Sequence, residues 1–132
     1  MPNIFIIIVI VIIVFWIFIT LKFKKKRKLL AYDYRMVSKK MKQVNAYADA
    51  EKQIVQYDKI YHNILKLIGY NGSFGEILKS NPKEINDINT VWKLHKTRNK
   101  LVHDMYTPDN KILLKEARNY KKITEQLLSK LK

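Results

Sequence analysis

The strongest constraint on this chain is an apolar stretch near its N-terminus, IFIIIVIVIIVFWIFITL, in which Thr20 is the single polar residue. As a helix, residues 4–21 would extend roughly 27 Å, close to the hydrocarbon thickness of a bilayer. The rest of the 132-residue chain is too small to bury such a helix on all sides. We therefore predict that residues 1–28 form a transmembrane anchor with a basic flank, and that residues 4–21 contact the lipid bilayer.

The residues on either side of this stretch argue against a cleavable signal peptide. A signal peptide has a charged segment before its apolar core and small residues at its cleavage site, whereas this chain begins MPN and lacks both. Six cations follow the apolar stretch, and we expect them to contact anionic headgroups: Lys22, Lys24, Lys25, Lys26, Arg27 and Lys28. Because basic flanks stay in the cytoplasm, we predict a single-pass protein of the cell membrane with its N-terminus outside and its C-terminal domain cytoplasmic.

The remainder of the chain is moderately basic. From residue 29 onward, 20 basic and 11 acidic residues give a net charge of +9, which suits an anionic partner such as RNA without requiring one. The absence of cysteine excludes disulfides, a thiol nucleophile and a cysteine-based metal site.

Helix-breaking residues divide this part of the chain into helices, because its prolines and glycines fall into two short zones. The first predicted helix covers residues 31–68, where Glu51 and Asp58 interrupt an apolar stripe. The stripe consists of Val37, Met41, Val44, Ala48, Val55, Tyr61, Leu65 and Ile68. We predict that residues 29–45 form a helical stalk below a bundle of residues 46–132, covered by a second chain or by solvent.

Three further helices are predicted. Ser73 and Glu76 have the spacing of a capping box, which indicates a short helix over residues 74–79. Asn81 and Pro82 are typical of a helix start, and this helix should end near His103. The last helix, from about residue 111 to 131, carries a heptad-like seam of Leu113, Ala117, Tyr120, Thr124, Leu127 and Leu131. No strand pattern competes, so the predicted fold class is all-α, a transmembrane helix followed by a small antiparallel helical bundle.

The helix with the sequence VWKLHKTRNKLVHD is unusual. Its two apolar faces are interrupted by His95, Arg98, Asn99 and His103. Burying such groups without partners would cost about 1–3 kcal/mol or more for each group, so they must meet partners, water or a ligand. The pattern indicates either a functional site or a buried polar network.

The spacing of these residues limits their chemistry. His95 and His103 lie about 12 Å apart along a helix, too far to share one metal ion, and we predict neither a metal nor a cofactor. The few serines do not lie in a nucleophile elbow. Metal-free phosphodiester chemistry remains open, with a histidine moving protons and an arginine or asparagine stabilising charge on the phosphate.

The segment RNKLVH resembles the motif of HEPN domains, in which an arginine precedes a histidine by four to six positions. HEPN domains are all-α bundles, and many are metal-independent endoribonucleases whose site forms between two protomers. The resemblance implies a homodimer in which Arg98 contacts phosphate, His103 transfers protons and Asn99 gives polar support. His95 and Asp104 would have supporting roles.

A wider stretch, about residues 46–131, resembles single-pass membrane proteins without an assigned activity from small-genome bacteria. Those proteins share an N-terminal anchor, a GYxGxxxxExL turn and an HKxRNxxxH helix with this chain. They commonly carry a carboxylate near the position of Tyr61, where this chain has a hydroxyl group.

Two functions fit these patterns. The favoured one is a membrane-anchored HEPN-like module that binds or scaffolds without catalysis. The alternative is a metal-independent endoribonuclease that cleaves RNA by attack of the 2′-OH at a composite dimeric site. Lys93, Lys96 and Lys100 would either steer phosphate or form a solvated helix face. Four tyrosines would either stack on bases or, more commonly, pack in the core: Tyr57, Tyr61, Tyr106 and Tyr120.

Overall fold

The computed structural model describes residues 2–22, 27–103, 106 and 108–132. These residues form six helices and no strand, which confirms the predicted all-α class for the described part of the chain. The first helix, α1, covers Pro2–Lys22. By its length and composition, the segment Asn3–Thr20 of this helix could cross a membrane. None of its residues is buried against the protein.

The predicted helix over residues 31–68 is two helices, so this prediction is wrong. The structure has α2 over Ala31–Asn45 and α3 over Ala50–Leu67. The break comes from Asp49, whose extended backbone and side chain cap α3 by accepting hydrogen bonds from Glu51 N at 2.9 Å and Lys52 N at 3.4 Å. A periodic stripe does not reveal such a cap, because the spacing of apolar residues resumes on the other side.

The break turns α2 back along α3 as an antiparallel hairpin. Residues near the start of α2 and the end of α3 therefore line one groove together, among them Asp33 and Leu67. The apolar face of α2 contributes Val37, Met41 and Val44 to the bundle core. Most of the range predicted as a stalk, residues 29–45, thus packs on the bundle rather than rising below it.

The short helix α4, Phe74–Lys79, begins and ends where the sequence predicts. Ser73 Oγ accepts from Glu76 N, and Glu76 Oε2 accepts from Ser73 N at 2.8 Å, so the capping box is present. Ser73 N and Ser73 Oγ both donate to Glu76 Oε2, and these two bonds hold the pKa of Glu76 below its usual range. Gly72 precedes the box with φ +108°, and a Cβ there would lie 2.9 Å from Glu76 Oε2, so this turn requires glycine.

The motif helix, α5, covers Ile88–His103, and α6 covers Asn110–Lys130. The predicted end of α5 and both ends of α6 are confirmed, but the predicted start of α5 at Pro82 is wrong. Asn81 has φ 50°, which interrupts the helix there. The helix starts after Asp87, which accepts from Thr90 N at 3.1 Å and from Thr90 Oγ1 at 2.6 Å. Both bonds lower the pKa of Asp87.

At the centre of the bundle lies α3, against which α2, α5 and α6 pack. Its side chains Ile54, Tyr57, Tyr61, Ile64 and Leu65 are almost fully buried. The seam predicted for α6 is buried from Ala117 to Leu131, whereas Leu113 is half-buried. In α3 and the preceding turn, Ala48 is exposed and Val55 half-buried, so these two predicted stripe residues lie outside the core.

The segment before α2 is attached to the bundle. Leu29 is buried, and its backbone N donates to Leu131 O at 2.9 Å. The guanidinium group of Arg27 lies 4.1 Å from the centre of the Tyr70 ring and donates to Ile68 O at 3.2 Å. Arg27, one of the six cations expected to contact headgroups, is therefore held against the bundle.

Candidate functional site

A buried carboxylate organises the polar residues of the motif helix. Asp58 of α3 is only 3% exposed, and its Oδ1 lies 2.8 Å from His95 Nδ1. The same oxygen accepts a hydrogen bond from Tyr120 Oη of α6 at 2.6 Å. The second oxygen, Oδ2, lies 3.5 Å from Arg98 Nε. One carboxylate thus joins the three helices α3, α5 and α6.

The network continues along α5 and closes on itself. Arg98 Nη1 donates to Asn99 Oδ1 at 2.8 Å, and Asn99 Nδ2 lies 3.3 Å from His95 Nε2. The donors point in one direction, from Arg98 through Asn99 and His95 to Asp58. This direction assigns the imidazole proton to Nδ1 of His95 and leaves Nε2 as an acceptor.

Neither ring nitrogen of His95 is available to a substrate, because Asp58 occupies one and Asn99 the other. The ring is also enclosed by aromatic side chains, with its centre 4.7 Å from that of Phe74 and 6.2 Å from that of Trp92. In this geometry His95 is a positioning residue within the bundle rather than a free general base.

The hydroxyl group of Tyr120 is locked into the same network. Burial and the neighbouring Asp58 carboxylate raise the pKa of Tyr120 well above its ordinary value. The rings of Tyr57 and Tyr61 lie 6.5 and 6.4 Å from that of Tyr120, measured between ring centres. Tyr57 and Tyr120 are thus packed in the core, where neither ring is available to stack on a base.

Of the five residues predicted for the site, the structure brings three together. His95, Arg98 and Asn99 share the network, and the exposed fraction of the Arg98 side chain is 22%. His103 is exposed at the last residue of α5 and has no hydrogen bond to the described part of the chain. Asp104 lies outside the described residues. Within one protomer, Arg98 is therefore part of the network and His103 is not. These are the two residues to which the HEPN resemblance assigns phosphate contact and proton transfer.

Sequence analysis missed Asp58 and Tyr120 as members of this cluster. Asp58 was noted only as an interruption of an apolar stripe, and Tyr120 as one residue of a seam. A carboxylate at a core position requires buried donors, but the sequence does not show which distant residues supply them.

The opposite face of α5 presents a second feature, an open groove of about 710 Å³ that we call the α5 groove. It is lined by Asn89, Trp92, Lys93, Lys96, Thr97, Lys100, Tyr106 and Glu116. Lys96 Nζ lies 6.0 Å from the centre of the Trp92 ring, and Lys100 Nζ lies 5.7 Å from that of Tyr106. Tyr106 is 45% exposed. The α5 groove therefore combines the exposed ring of Tyr106 and the half-buried ring of Trp92 with three exposed cations.

Among the described residues, no three histidine, aspartate or glutamate side chains are arranged to hold a metal ion. Comparison of the chain with known family models, curated proteins and solved structures gives no significant match. The geometry of the two faces of α5 is therefore the basis on which a function is assigned.

Proposed function

We propose that this protein is a membrane-anchored, HEPN-like helical module that binds single-stranded nucleic acid in the α5 groove without cleaving it. The observation that carries the proposal is the division of polar residues between the two faces of α5. His95, Arg98 and Asn99 are engaged within the protein, whereas Lys93, Lys96 and Lys100 are directed to the groove.

The residues of the α5 groove match what a single strand offers. Bases stack on aromatic rings, and lysine ammonium groups neutralise the phosphates between them. Trp92 and Tyr106 supply rings of the required kind, each with a lysine nearby. Glu116 also lines the groove, but its Oε2 is buried without a hydrogen-bond partner among the described residues, so this oxygen is not part of the proposed binding surface.

With the proposed anchor and its basic flank, we expect the α5 groove to lie in the cytoplasm. α1 has the length and composition of a membrane span, and the cations that follow it favour a cytoplasmic location for the bundle. RNA is then the single-stranded partner that we propose. The HEPN-like assignment rests on the segment RNKLVH and on the all-α bundle around it.

The binding proposal is tested with the full chain in detergent micelles, by fluorescence anisotropy of a labelled single-stranded oligonucleotide. We expect substitution of Lys93, Lys96 and Lys100 by Gln to weaken binding about tenfold or more, because the variant loses three cations that neutralise phosphates. The slope of log K against log salt should also fall by about 2, at about 0.7 for each phosphate that a lysine no longer neutralises.

The matched control removes three cations from a face without aromatic rings. Lys111, Lys115 and Arg118 line a shallow groove on α6 whose other residues are Leu114, Asn119 and Lys122. Substituting these three by Gln removes the same charge. If both triple variants lose affinity equally, binding is a response to net charge alone and the α5 groove is not the site.

A second candidate, the metal-independent endoribonuclease, is favoured by a different observation. Arg98 Nε lies 3.5 Å from Asp58 Oδ2 without a hydrogen bond among the described residues, and His103 is exposed at the end of the same helix. In a dimer, His103 of one protomer would approach Arg98 of the other. This candidate predicts RNA cleavage in EDTA that leaves a 2′,3′-cyclic phosphate, is lost in His103→Ala and persists in His62→Ala. Intact RNA in the presence of a folded, RNA-binding protein supports the non-catalytic module.

A further inference from the structure

The start of α2 exposes more apolar surface than a bundle of this size needs. Leu30, Tyr32 and Met36 are 73%, 64% and 55% exposed, and Leu67 at the end of α3 is 39% exposed. Met36 and Leu67 line one groove of about 340 Å³. Contiguous exposed apolar side chains of this kind mark a surface with a partner.

Cations surround these apolar side chains. At 100° per residue, Tyr32 and Met36 lie on the outer side of α2, with Arg35 and Lys39 on one flank and Lys40 on the other. All three cations are exposed. We call these five residues, together with Leu30, the outer face of α2. The groove next to this face contains one carboxylate, Asp33, which is half-buried.

The covalent connection to α1 keeps this face near the end of the apolar helix. Arg27 and Leu29 are attached to the bundle through Ile68 O and Leu131 O. The five links from Lys22 to Arg27 reach at most about 18 Å, even when fully extended. The start of α2 therefore stays close to the end of α1 and to the medium around that end.

We propose that the outer face of α2 binds the anionic surface of the bilayer that holds α1. This inference rests on the proposed membrane anchor. Apolar and aromatic side chains enter the region between headgroups and acyl chains, while arginine and lysine extend to the lipid phosphates. Leu30, Tyr32 and Met36 would take the first role, and Arg35, Lys39 and Lys40 the second.

The charge of the face favours lipid over a second copy of the chain. A twofold dimer through this face would bring Arg35, Lys39 and Lys40 against the same residues of the other copy. Like charges facing each other oppose such a contact, whereas an anionic bilayer neutralises them.

The test uses the full chain, which lacks native cysteine, with one introduced cysteine carrying an environment-sensitive fluorophore. Each variant is reconstituted into vesicles of phosphatidylcholine, or of equal parts phosphatidylcholine and phosphatidylserine, that contain a spin-labelled lipid as quencher. The labelled positions are Met36→Cys on the proposed face, Val14→Cys within α1 and Lys115→Cys on α6 as an exposed control. The charge variant substitutes Arg35, Lys39 and Lys40 by Gln in the Met36→Cys background.

We expect quenching at Met36→Cys that is stronger with phosphatidylserine, and the charge variant should lose at least half of it. Lys115→Cys should stay unquenched. Quenching at Val14→Cys without quenching at Met36→Cys would overturn this inference and leave the anchor intact. Loss of quenching at both positions would overturn the anchor as well. A Met36→Cys label that is shielded equally in both lipids, and only at high protein density, would assign the face to a dimer.

Discussion

Helix α5 has polar residues on two faces, and the faces differ in how many of their polar groups are free to contact a ligand. On the inner face of α5, His95, Arg98 and Asn99 have their polar groups directed to Asp58 or to one another. On the outer face, Lys96 and Lys100 are exposed, each beside an aromatic ring. The inner face contains the more suggestive motif, yet the outer face is the one with exposed cations for the ligand that we propose.

The difference shows that a motif's residue types do not determine its role. The same arginine and histidine side chains serve chemistry when they meet at a cleft, and serve packing when a buried carboxylate collects them. Here the arginine and histidine meet a buried carboxylate, because Asp58 lies where the inner face of α5 meets α3 and α6. Four predictions examine the contrast, from the largest expected effect to the smallest.

Replacing Asp58 by Ala should destabilise the bundle by about 3–5 kcal/mol, since Arg98 would be left as an uncompensated charge with little exposure. The measurement is urea unfolding followed by Trp92 fluorescence in a Trp16→Phe background, where Trp92 is the remaining tryptophan. Asp33→Ala, at a half-buried carboxylate on α2, should cost about 1 kcal/mol or less. Equal losses in the two variants would contradict a network centred on Asp58.

The two histidines of α5 should behave differently. His95→Ala removes a hydrogen bond to a charged acceptor and should cost about 2–3 kcal/mol, whereas His103→Ala should change stability by no more than about 0.5 kcal/mol. The same unfolding assay measures both variants. A large loss for His103→Ala would mean that His103 has a structural partner, such as a second protomer.

Tyr120→Phe removes one of the two hydrogen bonds to Asp58 Oδ1 and should cost about 1.5 kcal/mol at neutral pH. Because the folded state raises the pKa of Tyr120, its contribution is complete below the unfolded pKa of about 10 and is lost as the pH rises beyond that value. The stability difference between wild type and Tyr120→Phe should therefore begin to shrink near pH 10 and be largely lost by about pH 11. A difference that grows with pH would contradict the assigned hydrogen bond.

The smallest effect on stability is expected on the outer face. Substituting Lys93, Lys96 and Lys100 by Gln should change the free energy of unfolding by no more than about 0.5 kcal/mol for each residue. The same variant is the one expected to lose nucleic-acid binding. Unfolding and anisotropy measurements on one preparation would reveal this separation, and a destabilised variant would mean that these lysines belong to the packed structure.

Local signals in the sequence predicted local features correctly. The capping box of Ser73 and Glu76 involves residues three positions apart, and α4 forms where that pair indicates. The seam of α6 was likewise visible, because apolar residues at regular spacing have few alternatives to burial. These features depend on neighbours along the chain, which a sequence displays directly.

Features set by distant residues were not predicted. Asp58 meets His95 across 37 residues and Tyr120 across 62, so nothing beside Asp58 in the sequence identifies its partners. The late start of α5 has a similar cause, since Lys130 Nζ holds Lys83 O and Glu84 O outside a helix at 3.4 and 3.2 Å. In both cases the contact joins residues that are far apart in the sequence.

The hydrogen bond from Leu29 N to Leu131 O has a consequence for engineering. It makes the backbone of the bundle almost a closed ring, with its first and last segments side by side. A transmembrane segment fused after Lys132 would then attach to the same end of the bundle as α1 does. The attachment could be moved from one terminus to the other, and the bundle would still point the same way from the bilayer.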